Sequence, residues 1–344
     1  YATSTVQNPV NAVFTSDKEI LLAGSVLRVR SVLQDGWLTK LSPQGTLLWS
    51  RNYTSIDFNW IHFNKAVPDG NEGYIVAGHI GNRDTNYVPP AVLTQMGFLM
   101  KVDKYGNKLW TKMFGKNFIP EKSTDINNII ATTGGDFIIV LNYRGQNSVN
   151  IVVRIDGDGN IKWTSTISST SAAYGQMHVY QKNNGDIVVA NPIMFFDANS
   201  SWPPVREGYY AACIGYDSGL PKWQRSYIFT RPPSTREKTF GDVVQIADLP
   251  NGDLSFISSY ADTSYIYFRK TKKVINMITD DIGRLKNVRA YYGAPPLYPS
   301  AGPTDQVNGG QAILMDNADA PFLMKLDAAG NIAWQHSYPL IGRS

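Results

Sequence analysis

One short pattern recurs along the whole chain and constrains its fold more than any other feature. It reads SPQGTLLW at 42–49, DKYGNKLW at 103–110, DGDGNIKW at 156–163 and DAAGNIAW at 327–334. The copy DSGLPKW at 217–223 is one residue shorter, and DDIGRLKN at 280–287 keeps Asp280 and Gly283 but ends in Asn287. The consensus is D-x-x-G-x-x-x-W. An apolar alternation precedes it, as in GFLMKVD (97–103), and an aromatic follows the tryptophan by four residues, as Phe114 follows Trp110. Aspartate bonds its own backbone and glycine accepts positive φ, so each copy is a hairpin with a tight turn. Side chains four apart share a face of a strand, so Trp49, Trp110, Trp163, Trp223 and Trp334 are placed to wedge between neighbouring units.

A second hairpin precedes each copy. Its turns are rich in Gly, Asn and Asp, and each leads into an apolar run: NEGYIVAG (71–78), GGDFIIV (134–140), NNGDIVV (183–189) and NGDLSF (251–256) are the clearest. Two hairpins per repeat make four strands, and no helical periodicity competes with them. A four-stranded unit repeating at roughly 57 residues is the blade of a β-propeller. The expectation is an all-β, six-bladed propeller with four antiparallel strands per blade, five or seven blades being the less favoured alternatives. It forms one domain over 1–344, with blades near 9–53, 57–114, 124–167, 174–228, 240–293 and 304–339. A single globular core would be unusual at 344 residues, whereas a ring of repeats buries a small core at every junction.

YIVAG at 74–78 with KVDKYGNKLW at 101–110 resembles the "DGGYIVAG … KLDxxGNxxW" repeats of secreted and surface-anchored bacterial β-propellers, abundant in Bacteroidetes. The blades also resemble, more distantly, the tryptophan-docked blades of quinoprotein-type propellers. The resemblance covers nearly the whole chain. It implies export and frequent lipid anchoring, and it implies no defined chemistry, because the matching residues build blades.

Composition narrows the function classes. Hydrophobic residues make up 43% and charged residues 17%, which argues against disorder. The net charge of +4 is mild and its lysines and arginines are scattered, so no nucleic-acid partner is expected. Cys213 is the sole cysteine and lies in an apolar run, which excludes an internal disulfide and reads as a small buried hydrophobe. No apolar run is long enough to span a membrane. The polar start at Tyr1 suggests a processed N-terminus, and the expected location is extracytoplasmic: cell surface, outer-membrane-anchored or periplasmic. A monomer is expected.

Long connections carry the candidate ligand-binding residues. They are Asp57 and Trp60, Arg83 and Tyr87 between 82 and 95, Trp202 and Arg206 between 195 and 209, Arg231 and Arg236 between 230 and 240, and Tyr292 and Tyr298 between 291 and 305. Aromatic rings beside planar polar side chains suit a glycan or protein ligand. His62 and His178, both placed in first strands, are the weak candidates for acid–base chemistry, with His79 and His336 out of their register. An acid recurs near the first strand as Asp57, Asp125, Asp242 and Asp305. Asp156, Asp158 and Asn160 have the alternation of a small calcium loop, but they occupy a turn that other repeats build without extra acids, so no metal and no cofactor are expected. Nothing matches a P-loop, a dinucleotide fingerprint, a G-x-S-x-G elbow or an H-E-x-x-H helix. The leading expectation is therefore a non-catalytic binding or scaffold propeller. A carbohydrate-active lyase or hydrolase with its site at the mouth of the central channel is the alternative.

Overall fold

The computed structural model describes residues 7–15, 17–28, 33–84, 91–115, 123–144, 149–167, 172–173, 177–195, 206–230, 237–264, 269–292, 297–299, 311–317, 322–327, 329 and 331–337. Among them every regular element is a strand, so the all-β expectation holds and no helix there could cross a membrane. The chain divides into two compact units, Tyr1–Ser168 and Ser169–Ser344.

In the first unit three antiparallel meanders follow one another. They are β1 (Gln7–Phe14), β2 (Ile20–Leu27), β3 (Gln34–Leu41) and β4 (Leu47–Tyr53), then β5 (Trp60–Pro68), β6 (Tyr74–Asp84), β7 (Ala91–Val102) and β8 (Lys108–Phe114), then β9 (Ser123–Ala131), β10 (Phe137–Arg144), β11 (Val149–Ile155) and β12 (Ile161–Ile167). A single parallel bridge, Gln34 to Trp60, joins the first two meanders into one sheet. The second unit contains β13 (Ala172–Ala173), β14 (His178–Gln181), β15 (Ile187–Phe195), β16 (Arg206–Ile214) and β17 (Pro221–Thr230). It continues with β18 (Glu237–Asp248), β19 (Leu254–Ser264), β20 (Arg269–Thr279) and β21 (Leu285–Tyr292), and ends with β22 (Leu297–Pro299), β23 (Gln311–Asn317), β24 (Phe322–Leu326) and β25 (Ile332–Ser337). The strand opening this last meander is three residues long.

The second strand β6 is apolar on both faces because a core lies on each side of it. On β6, Tyr74, Val76 and Ile80 pack with Leu21, Leu38 and Phe63 toward the first meander. Ile75 and Ala77 pack with Ile126, Phe137 and Leu141 toward the third. The second unit repeats the scheme, with Val188, Tyr209, Trp223, Phe256 and Met277 in one layer and Ile257, Val274 and Met324 in another. Fourth strands such as β4 and β8 are mostly exposed, including Leu47, Leu48, Leu109 and Met113.

The repeated turn is the joint between meanders. Asp103 Oδ1 accepts from the backbone N–H groups of Tyr105 and Asn107 at 2.9 and 2.8 Å, and Asp156 and Asp327 do the same in their own turns. Gly106, Gly159 and Gly283 sit at φ +77, +74 and +77. The tryptophan of the preceding meander lies flat on that glycine. A Cβ on Gly106 would come within 2.9 Å of the Trp49 ring, one on Gly159 within 2.9 Å of Trp110, and one on Gly283 within 2.8 Å of Trp223. Trp49 Nε1 donates to the Lys104 carbonyl at 3.0 Å and Trp223 Nε1 to that of Asp281 at 3.0 Å. The aromatic four residues on completes the joint, since Tyr53 Oη donates to the Gly106 carbonyl at 2.8 Å and Tyr227 Oη to that of Gly283 at 2.7 Å.

Gly45 separates the two demands on this glycine, because its φ is +81 but nothing lies within 4 Å of an added Cβ. Gly45→Ala should cost only the backbone term, about 1–2 kcal/mol. Gly106→Ala should add displacement of the Trp49 ring, for a total of about 2–5 kcal/mol. Urea denaturation of both variants checks this, and equal losses would remove the docking account.

Candidate functional site

A bulge near the middle of the first strand sets the site's geometry. In β5 it falls at Asn64, between the pairs Phe63–Gly78 and Lys65–Ala77. In β9 it falls at Asn127 and in β1 at Val10. Aligned on the bulge, His62 of β5 takes the position that Asp125 takes in β9, two residues before it. The acidic series expected from sequence is therefore out of register at Asp57, which lies five residues earlier. His178 pairs with Ala190 as Lys65 pairs with Ala77, so His62 and His178 occupy different register positions as well as different units. A bulge adds one residue to one strand only, and alternation in sequence cannot show where it falls.

One face of the second meander carries the polar cluster. His62 and His79 are directly paired across β5 and β6, and residues two apart along each strand share their face. Trp60, His62, His79 and Arg83 thus point the same way, with Gln95 of β7 in the row of Trp60 and Gly81. The His62 and His79 rings stack at 5.1 Å, and His79 meets the Trp60 ring edge-on at 4.4 Å. His79 Nδ1 lies 3.1 Å from Asp125 Oδ1, whose other donor is Asn64 Nδ2 at 2.8 Å. Since that carboxylate oxygen only accepts, Nδ1 carries the proton and Nε2 faces away from it. His62 Nδ1 lies 3.1 Å from Ser25 Oγ.

Three nitrogens of this face are buried without a hydrogen-bond partner among the described residues: His79 Nε2, Arg83 Nε and Gln95 Nε2. His79 is 6% exposed and Gln95 4%. Arg83 lies flat on Trp60, its guanidinium carbon 3.6 Å from the ring centroid, and burial lowers its pKa. Burial also pulls His62 down to about 4, helped by the nearby charges of His79 and Arg83 and opposed by Asp125. Lys65, after the bulge, donates to Asn128 Oδ1 at 2.8 Å and is drawn down to about 8 by burial.

Several expected site residues stand elsewhere. Trp60 is 5% exposed, bonds Gln34 Oε1 at 2.9 Å and lies under Arg83, so it is a platform for the guanidinium rather than an open stacking surface. Asp57 has an exposed side chain and joins the neighbourhood only through its carbonyl, which accepts from Asn82 Nδ2 at 3.2 Å. Arg83 is a strand residue of β6, Arg206 opens β16, Tyr292 closes β21 and Tyr298 lies in β22, because the strand ladders run further than the polar composition suggested. Tyr87, Trp202, Arg231, Arg236 and Asp305 lie outside the described residues. Asp156 spends its carboxylate on Asp158 N–H, Asn160 N–H and Asn160 Nδ2, the same bonds Asp103 and Asp327 make in turns without a second acid. No group of three metal-ligating side chains occurs among the described residues. Cys213 is buried, and burial raises its thiol pKa to about 11.

Sequence reasoning set His79 aside as out of register with His62 and passed over Gln95. The available signal was a polar residue interrupting a run otherwise buried on both faces, as His79 does after YIVAG.

No protein-family model matches the chain, and no curated protein matches it by sequence. Solved structures do match it. An ulvan lyase, a polysaccharide lyase bound to -[GlcA(1-4)Rha3S]-, superposes with a TM-score of 0.58 at 10% identity over 97% of this chain and 86% of that one. The lignostilbene dioxygenase of Pseudomonas brassicacearum gives 0.55 at 10% identity over 100% and 83%. The β-propeller domain of the Trilobed protease from Pyrococcus furiosus, described as having an open velcro topology, gives 0.50 at 10% identity over 100% and 85%. At this identity the likeness is one of fold, and the fold is that of the β-propellers.

The site generates two stability predictions. The unfolded chain protonates His62 near pH 6.5 and the folded one near pH 4, so folding stability falls as pH drops through that window. The loss reaches about 3 kcal/mol at most. His62→Gln should flatten this part of a pH-dependent thermal-melt profile, and an unchanged profile would count against a buried neutral imidazole. Gln95→Met removes an unpaired amide at similar volume and should stabilise by about 1 kcal/mol, seen as a raised Tm; a lowered Tm would mean the amide is satisfied.

Proposed function

We propose that the chain is a six-bladed propeller that acts outside the cytoplasm as a binding module for a saccharide, taken on the face of the second meander. One observation carries the reading: three buried nitrogens, from His79, Arg83 and Gln95, lie on one face of the sheet with no partner among the described residues. Buried polar groups are nearly always satisfied in folded proteins, so a cluster of unsatisfied ones marks where something else binds. The six meanders, the fourth with its first strand in two pieces, support the blade count. The ulvan lyase, bound to a saccharide, supports the ligand class. The extracytoplasmic setting rests on the resemblance of the repeats to those of secreted and surface-anchored propellers.

Acid–base chemistry on a saccharide is the second reading, and the Asp125–His79 pair favours it. A carboxylate behind Nδ1 orients the ring and leaves Nε2 free to exchange a proton with a bound molecule.

A saccharide array followed by calorimetry tests the binding reading. At least one saccharide should bind, and Arg83→Ala should weaken that binding tenfold or more. Failure of every saccharide to bind would overturn it. Chromatography of polysaccharide digests separates the two readings, because new shorter products that vanish in His79→Asn would establish the second.

A further inference from the structure

We infer that the group taken at this face is an oxyanion carried by the saccharide, held by Arg83 Nε and Gln95 Nε2. The inference rests on the saccharide-binding reading above and specifies its ligand. What the face offers is donors. Arg83 makes no ion pair among the described residues and has only burial acting on it. The Gln95 amide NH2 shares its face of the sheet and is equally unpartnered among the described residues.

Two nearby acceptors are already engaged. Asp125 Oδ1 accepts from Asn64 and from His79, and Gln34 Oε1 accepts from Trp60. A sugar hydroxyl could use the two donors but carries no charge to offset the guanidinium. A carboxylate or a sulfate ester only accepts, and it neutralises the partly buried guanidinium.

Geometry favours the same ligand. The guanidinium lies 3.6 Å above Trp60, so the ring holds its plane and closes one of its faces. Its N–H groups lie in that plane, the arrangement that reads two oxygens of a carboxylate or sulfate. The Asn59 side chain fixes the backbone beneath it, accepting from Arg83 N–H at 2.9 Å and donating to the Arg83 carbonyl at 3.0 Å.

The test is calorimetric titration of the whole chain with a galacturonic acid trisaccharide, its methyl ester of the same size, and a sulfated neutral saccharide. The acid or the sulfate ester should bind at least tenfold tighter than the methyl ester, and whichever is tighter identifies the oxyanion. Arg83→Gln should erase the preference, and Arg83→Lys, which keeps the charge without the fork, should restore only part of it. Gln95→Met should weaken the acid more than the ester, with near-ultraviolet circular dichroism reporting that each variant is folded. Equal affinity for acid and ester would overturn the oxyanion assignment and leave the saccharide reading standing. Absence of binding by all three, and by the wider array, would overturn both.

Discussion

The contact between a tryptophan face and a glycine in the next turn is the constraint on which the rest of this structure depends. It asks for a hairpin turn with positive φ, which suits glycine, and for a flat surface onto which an indole can settle, which again only glycine leaves bare. The turn's own carbonyls then accept from Trp49 Nε1 and Tyr53 Oη, or from Trp223 Nε1 and Tyr227 Oη. Aspartate rigidifies the platform from below by taking the turn's N–H groups. A meander with one exposed apolar face thereby acquires a neighbour at a set distance. The layers of core between meanders follow from that spacing.

Because the joint spaces the meanders from outside, their inner strands are free to differ. The bulges of β1, β5 and β9 use that freedom. They break the alternation in mid-strand and let polar side chains reach from one first strand to the next, as Asn64 reaches Asp125 and Lys65 reaches Asn128. The second meander goes further and leaves buried nitrogens of His79 and Gln95 without partners among the described residues, at positions where the first meander has Ser25 and Gln34. An interior of that kind gives up stability for polar groups it does not pair. That imbalance separates this face from the merely structural ion pairs of the molecule. Asp136, Asp186 and Asp253 each hold the lysine at the second position of a fourth strand, at 2.7–2.8 Å, with the lysine half exposed and little energy at stake.

Much of the fold was legible because its determinants are local. A turn needs Asp and Gly within four residues, an indole needs to sit four residues from its partner aromatic, and both spacings are written along the chain. Much less of the site was legible. Arg83 and His62 were picked for their residue type, and Asp125 was noticed as one of a series to which Asp57 does not belong. His79 was discarded because the register was counted without a bulge, and Gln95 gave no sign beyond its polarity. Trp60 looked like an open platform, and only packing showed Arg83 lying on it.

By itself the sequence determined that this is an all-β chain of repeated hairpins with a tryptophan joint, since turn chemistry and period-two alternation act over a few residues. The tertiary structure alone decided which polar side chains meet. That depends on a one-residue bulge and on strands more than sixty residues apart, as Asn64 and Asp125 are. A single inserted residue reverses which face of the sheet every later side chain occupies, and no local preference records it.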